Sequence, residues 1–423
     1  MVTMPASLPR GRVARAAGWF AWLASVSLSS FAQEEPTPNF PTAPVFQAVA
    51  PDPSEYLPLP DGVLRSTQFG AEIVRDADTA LIEEAAYPDS QSIGRVAVFA
   101  RNRDGTWDRN GSIDPPDGLE FDFFGQQMAL LDDLALIGSA QGVYVYQRAH
   151  GKWQLAQKVK LPSGVTFSDV ALVRGWAFIS AGAEGEGMVQ VYDIKHRNTL
   201  RPAQTLQSNS SSSGDFFGDH LAVSNGTLVV SAVGDRDDRG AAYIFQRRGN
   251  RWVKRQKIVA SNGAAVDLFA TSIAISGDRI VVGAPHVQGL PDDNCEEGAN
   301  SGAVYVFRRI AGIWLQQQVL LAEDARQFPT SCMHAFGDGV VIGDRWIVGT
   351  TSVGAFEGAQ PVVYRRDGGR YRPIALTESS GGQVAILHLN GRTLFVGAPI
   401  DTGCDFEACI GAALIYHLDE SGP

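Results

Sequence analysis

The chain offers little to a membrane: its apolar stretch from Ala16 to Phe31 is short for a span and grows rich in serine toward its end. Outside that region no long stretch of helical periodicity occurs, which argues against a helical domain. The seven histidines, His150, His196, His220, His286, His334, His388 and His417, are scattered with no pair at metal-ligand spacing. No Gly-x-Ser-x-Gly elbow and no phosphate-cradling glycine loop with lysine is found. The paired carboxylates Asp132-Asp133 and Asp292-Asp293 fall in predicted turns, where solvation is the default. No catalytic residue, metal centre or cofactor is therefore expected. Basic residues are also in deficit, 35 against 46 acidic, for a net charge of -11. Such a surface disfavours nucleic acid and anionic lipid as partners and keeps the chain soluble.

Three arginines (Arg10, Arg12, Arg15) without acids precede the apolar stretch, and the small residues Ser30 and Ala32 bracket a cleavage point before Gln33. This is the layout of a secretory signal peptide, residues 1–32, followed by a short linker over 33–42. Its removal takes away three positive charges (35 − 3 = 32 basic against 46 acidic), giving −14 for the mature chain. The expected location is secreted or periplasmic, with no membrane insertion after cleavage. The four cysteines suit an oxidising compartment and are expected to form two disulfides, Cys404 with Cys409 and Cys295 with Cys332.

What the chain has in abundance is repetition. An apolar segment, a tight polar turn, a second apolar segment ending in small residues, then a glycine and an alternating aromatic strand recur seven times. Glu83, Gly138, Ser180, Ser231, Gly283, Gly349 and Gly397 end the second segment, and Gly94, Gly142, Gly187, Gly240, Gly302, Gly358 and Gly411 open the alternating one. Periods of this size mean an array, so residues 43–423 are read as one domain rather than two or three.

Each unit reads as four strands, best seen in the fourth: Asp219 to Val223, Thr227 to Ser231, Ala241 to Gln246 and Trp252 to Val259. Asn225-Gly226, Gly277-Asp278, Gly343-Asp344 and Asn390-Gly391 are the expected two-residue turns between strands one and two. The second strand is nearly all apolar, as in a strand covered on both faces. The third alternates. The fourth opens on an aromatic residue (Trp107, Trp153, Trp252, Trp314, Tyr371) and drifts to polar residues such as Gln157, Gln256 and Gln318. The fixed phase of the tryptophans favours packing between units over a sugar-binding ladder. Sheets that cannot bury both faces alone stack around an axis. The fold class is thus all-β, a seven-bladed β-propeller of four-stranded antiparallel blades. The seventh unit lacks a fourth strand, and the proline-flanked segment Phe46 to Pro60 is expected to supply it.

Phe-Gly entering strand one (Phe69-Gly70, Phe124-Gly125, Phe217-Gly218, Phe336-Gly337) and Gly-Ala-Pro leaving strand two (Gly283-Ala284-Pro285, Gly397-Ala398-Pro399) resemble the FG-GAP repeat of the integrin α-subunit propeller, particularly its bacterial secreted form. The resemblance spans roughly residues 43 to 417. It implies calcium loops of the Asp-x-Asp-x-Asp-Gly type between strands one and two, but those connections are two-residue turns here, so calcium is not expected at the family's positions. Asp235-Arg236-Asp237-Asp238-Arg239-Gly240 is read as a solvated acidic turn rather than a calcium site.

Residues that bind should break the repeat, since packing residues must keep it. The breaks are the connections from strand two to strand three: Val233 to Arg239, His286 to Ser301 and Ile400 to Ile410. In such a blade these connections and those from strand four to strand one emerge on one face. That rim gathers the candidate binding residues Asp235, Asp237, Asp238, Asp292, Asp293, Glu296, Glu297, Asp405 and Glu407, with all four cysteines. The resemblance implies partners on the same face. The expected function is an exported, monomeric, non-enzymatic module that binds a protein or glycan at this rim. A hydrolase or lyase with a site on the rim or central channel, and a structural envelope component, are the alternatives.

Overall fold

The computed structural model describes residues 55–57, 67–86, 94–117, 123–183, 186–194, 199–208, 214–288, 301–321, 335–353, 357–374, 382–383, 386–398, 400–401 and 412–418. They form seven four-stranded antiparallel sheets, six of them with their strands in chain order from inner to outer edge, and a short two-stranded sheet, Gly382–Gln383 with Ile400–Asp401. The fourth blade, for example, runs Phe217–Ser224, Thr227–Ala232, Ala241–Arg248 and Arg251–Ile258. Its second strand is buried throughout, whereas the outer strand buries only Trp252 and Ile258 fully. This is the gradient from axis to edge that the apolar pattern predicts.

The ring is closed by strand exchange between the two ends of the chain. In the seventh blade, Ile386–Asn390, Thr393–Ala398 and Ala412–His417 are completed by Glu55–Leu57, with Tyr56 opposite Leu414 and Leu57 opposite Ala413. The first and seventh blades also pack side by side: the Trp107 ring meets Phe395 edge-on at 5.4 Å.

The Phe-Gly and glycine markers have one shared cause. The phenylalanine rings are buried against an aromatic residue of strand three in the same blade, Phe217 against Tyr243 at 5.5 Å and Phe269 against Tyr305 at 5.4 Å. Their backbones meanwhile lie against the preceding blade, where Gly240 bridges Phe269 and Gly302 bridges Phe336. A Cβ on Gly240 would come within 1.9 Å of the Phe269 carbonyl oxygen, and its φ is +79°, so only glycine fits.

The outer edge carries a second device. Gln157, Gln204, Gln256 and Gln318 each turn their side-chain amide to the next blade and grip both backbone groups of the residue there: Leu200, Trp252, Trp314 and Tyr371. The glutamines that the sequence marks as an exposed edge thus bind blades two to six together. The tryptophans pack as expected: Trp107, Trp252 and Trp314 are buried, and Trp252 lies edge-on to Phe178 of the third blade.

Two turns differ from expectation by one residue. Asn390 pairs with Thr393, so the turn is Gly391-Arg392, and the sixth blade pairs Ile342 with Ile347 around Asp344-Arg345. The register of the flanking strands, not the dipeptide signal alone, places a turn.

Candidate functional site

Asp235, Asp237 and Asp238 are the rim candidates among the described residues, and the structure separates them. Asp235 is buried: its carboxylate accepts from Tyr243 Oη at 2.9 Å and from Lys257 Nζ at 2.7 and 2.6 Å. It is therefore withdrawn from the binding rim, because its charge is already answered inside its own blade. Asp237 and Asp238 keep exposed side chains, while their backbone carbonyls accept from the N–H groups of Val266 and Leu268. Asp292, Asp293, Glu296, Glu297, Asp405, Glu407 and the four cysteines lie outside the described residues.

On the same face the fold repeats a turn that the sequence reading missed. The residue before the Phe-Gly phenylalanine adopts positive φ at Phe123 (49°), Phe216 (50°), Leu268 (54°) and Ala335 (37°). Its carbonyl accepts from the N–H three residues on: Gln126, Asp219, Thr271 and Asp338. Left-handed backbone costs a residue with a Cβ about 1–2 kcal/mol. Ala335 shows that the turn asks for no large side chain. Phe123 and Phe216 nevertheless place aromatic rings there, 49% and 51% exposed, and Val266 adds a third apolar side chain at 54%.

Where the inner strands begin, at the axial end of this face, titratable side chains from several blades come within electrostatic reach. Glu72 of the first blade, Asp169 of the third and His220 of the fourth each stand at the register irregularity of strand one, immediately before Ile73, Val170 and Leu221. Burial pushes the Glu72 carboxyl well above the usual range, helped by the negative charges of Asp169 and Glu83, while a hydrogen bond from the Met128 backbone opposes it. Asp169 is raised to about 6 by burial, against the pull of His220 and of the N–H groups of Leu221 and Val170, at 2.7 and 2.6 Å. Burial alone raises Glu83 to about 7. Asp338 of the sixth blade is likewise raised by burial, opposed by His220 and His286.

Glu83 occupies the position where the six other blades have glycine or serine. It is only 6% exposed, and its carboxyl makes no hydrogen bond or ion pair with any described residue. The corresponding Ser180 and Ser231 instead accept the backbone N–H groups of Asp169 and His220. The legible signal for this cluster is a polar residue two or three positions after the phenylalanine that enters strand one, together with an acid at a small-residue position. No group of three or more His, Cys, Asp or Glu side chains among the described residues is arranged to hold a metal ion.

Residues 203–245 and 252–307 match the FG-GAP repeat family. With the seven-bladed ring, that match supports one description. The chain is a β-propeller that carries FG-GAP repeats. Each matched stretch of this FG-GAP propeller includes the first three strands of one blade, the fourth and then the fifth. No curated protein matches it by sequence.

Among solved structures, a protein from Lactobacillus plantarum aligns at 14% identity over 82% of this chain and 94% of its own, with a TM-score of 0.54. A Bacteroides uniformis protein provisionally assigned as a 6-phosphogluconolactonase aligns at 12% identity over 82% of this chain and 94% of its own, TM-score 0.56. PorZ, a surface component of the type-IX secretion system of Porphyromonas gingivalis, aligns at 14% identity over 81% of this chain and 46% of its own, TM-score 0.50. At these identities the FG-GAP propeller shares a fold with them, and nothing finer follows.

Proposed function

We propose that this FG-GAP propeller is an exported, non-enzymatic binding module that engages a protein or glycan through the face where the longest connections emerge. The supporting observation is the pair Phe123 and Phe216, half-exposed aromatic side chains held in left-handed backbone at positions where alanine suffices. Exposed aromatic anchors on a rigid scaffold are what binding surfaces use. The exposed acids Asp237 and Asp238 add negative charge to the same face. No metal or cofactor enters this reading.

The test immobilises the chain from residue 33 onward beside two variants, Phe123→Ser with Phe216→Ser, and charge reversal at Asp292, Asp293, Glu296 and Glu297. Cell-surface protein and glycan fractions are passed over all three. Retention that falls at least tenfold in both variants, with unchanged melting curves, supports the reading. Equal retention, or none from any fraction, favours a structural envelope component.

A second reading rests on Glu83 and Asp169, whose carboxyls titrate near neutrality and so suit general acid and base roles in a hydrolase or lyase. Turnover of ester, lactone or glycoside substrates that disappears in Glu83→Gln would replace the first reading with this one.

A further inference from the structure

The face opposite the proposed rim carries the hairpin turns, and these turns show how the protein satisfies its own arginines. In the second blade the turn residue Asp133 accepts the backbone N–H of Arg148 and also binds that side chain, Nε to Oδ1 at 2.7 Å. In the fifth blade Asp278 accepts the backbone N–H of Arg309 and binds the Arg308 side chain, Nε to Oδ2 at 3.1 Å, while Arg279 reaches its Oδ1 at 2.5 Å. A carboxylate on the turn between strands one and two thus meets guanidinium groups from its own blade.

The fourth blade keeps the arginine and omits the acid. Its turn is Asn225-Gly226, and Gly226 accepts the backbone N–H of Arg247 just as Asp133 and Asp278 accept theirs. The guanidinium of Arg247 is fixed in place: Nε donates to the Gly249 carbonyl at 3.0 Å, and its carbon lies 5.4 Å from the centre of the Trp176 ring. Its terminal nitrogens have no acceptor among the described residues. Arg309, whose backbone is anchored on Asp278, has no side-chain partner among the described residues either. Both side chains line one shallow cavity of about 460 Å³, wide open to solvent, together with Asn225, Gly226, Thr227 and Gln246.

We propose that this cavity between the fourth and fifth blades binds an oxyanion carried by a small ligand, a carboxylate, phosphate or sulfate group that takes the place filled by Asp133 and Asp278 in the sister blades. Arg247 is the pre-positioned donor and Arg309 closes on the anion from the neighbouring blade. Asn225 and Thr227 add neutral hydrogen-bonding groups for the rest of the ligand. The site lies on the far side of the propeller from the rim and stands or falls independently of it.

The test is calorimetric titration of the full chain with sodium glucuronate, inorganic phosphate and inorganic sulfate, each at low and at high sodium chloride. Three proteins are compared: wild type, Arg309→Gln, and a turn variant combining Asn225→Gly with Gly226→Asp, which recreates the Gly277-Asp278 turn of the fifth blade. The expected result is saturable one-site binding of at least one anion that weakens with salt. It should fall at least tenfold in both variants, with Arg309→Gln melting as wild type does, whereas the turn variant melts somewhat lower because position 226 has a φ of +75°. Which anion binds assigns the site to a carboxylate, phosphoryl or sulfuryl ligand. Absence of saturable heat for all three, or undiminished affinity in Arg309→Gln, overturns the proposal.

Discussion

The side-chain amide of Gln256 closes on the backbone of Trp314, one blade away: Nε2 donates to the Trp314 carbonyl at 2.7 Å, and the Trp314 N–H donates to Oε1 at 2.9 Å. A glutamine used this way imitates one rung of a β-ladder between two sheets that share no strand pairing. Replacing Gln256 by leucine strands both backbone groups at a partly buried edge and should cost about 1–2 kcal/mol. The check is the urea midpoint at unchanged slope; a midpoint that does not move would mean that water replaces the amide without loss.

Gly240→Ala should be far more damaging than its size suggests. A methyl group there meets the Phe269 carbonyl at 1.9 Å on a backbone with positive φ, so the fourth and fifth blades must part. A loss of about 3 kcal/mol or more is expected, against about 1 for Gly249→Ala, where positive φ is met by open space. Equal melting temperatures for the two variants would contradict this account of the repeat.

Glu83 makes stability depend on pH in a stated direction. Its folded-state value of about 7 lies above the ordinary glutamate value near 4.3, so the native chain keeps a proton that the unfolded chain has released. Its contribution is complete below about pH 4.3 and is lost as pH rises through 7. Asp169, raised to about 6, acts in the same sense. His388, lowered to about 4 by burial and then by Arg75, acts in the opposite sense, losing stability as pH falls from 6.5 through 4. Glu83→Gln should therefore melt above wild type at pH 8 and close to it at pH 4.5. Thermal melts across that interval isolate the glutamate, because the Asp169 and His388 titrations remain in both proteins.

Deleting residues 40 to 62 removes Glu55–Leu57 and leaves Ala412–His417 with an unpaired edge. A sharp fall in melting temperature is expected, with irreversible association through the bared strand. A deletion variant that melts with the intact protein would show that the ring holds without its latch.

Calcium should not bind the acidic loop of the fourth blade. The Asp235 carboxylate is already held by Lys257 and Tyr243, so an ion would have to displace a buried lysine contact. Calorimetry with calcium chloride should give no micromolar isotherm, and Lys257→Met is the variant in which a weak one could emerge. A micromolar isotherm in wild type, abolished by Asp235→Asn, would sink this view of the loop.

Residue spacing was enough to determine the sevenfold array, the four strands of each blade and the N-terminal strand that completes the last one. Each of these depends on local patterns: alternation, glycine at tight positions and turn dipeptides act within a few residues of themselves. The meaning of the markers was decided only by the tertiary structure. Phe269 and Gly240 belong to different blades, as do Gln256 and Trp314, and their contacts exist only once neighbouring sheets are stacked. The same holds for function. Asp235 reads as a rim acid in the sequence but finds a lysine across its blade, whereas Glu83, unremarkable among acids, stands where packing elsewhere allows only glycine or serine. Burial and charge at a site are sums over residues distant in the chain, and no window along the sequence contains them.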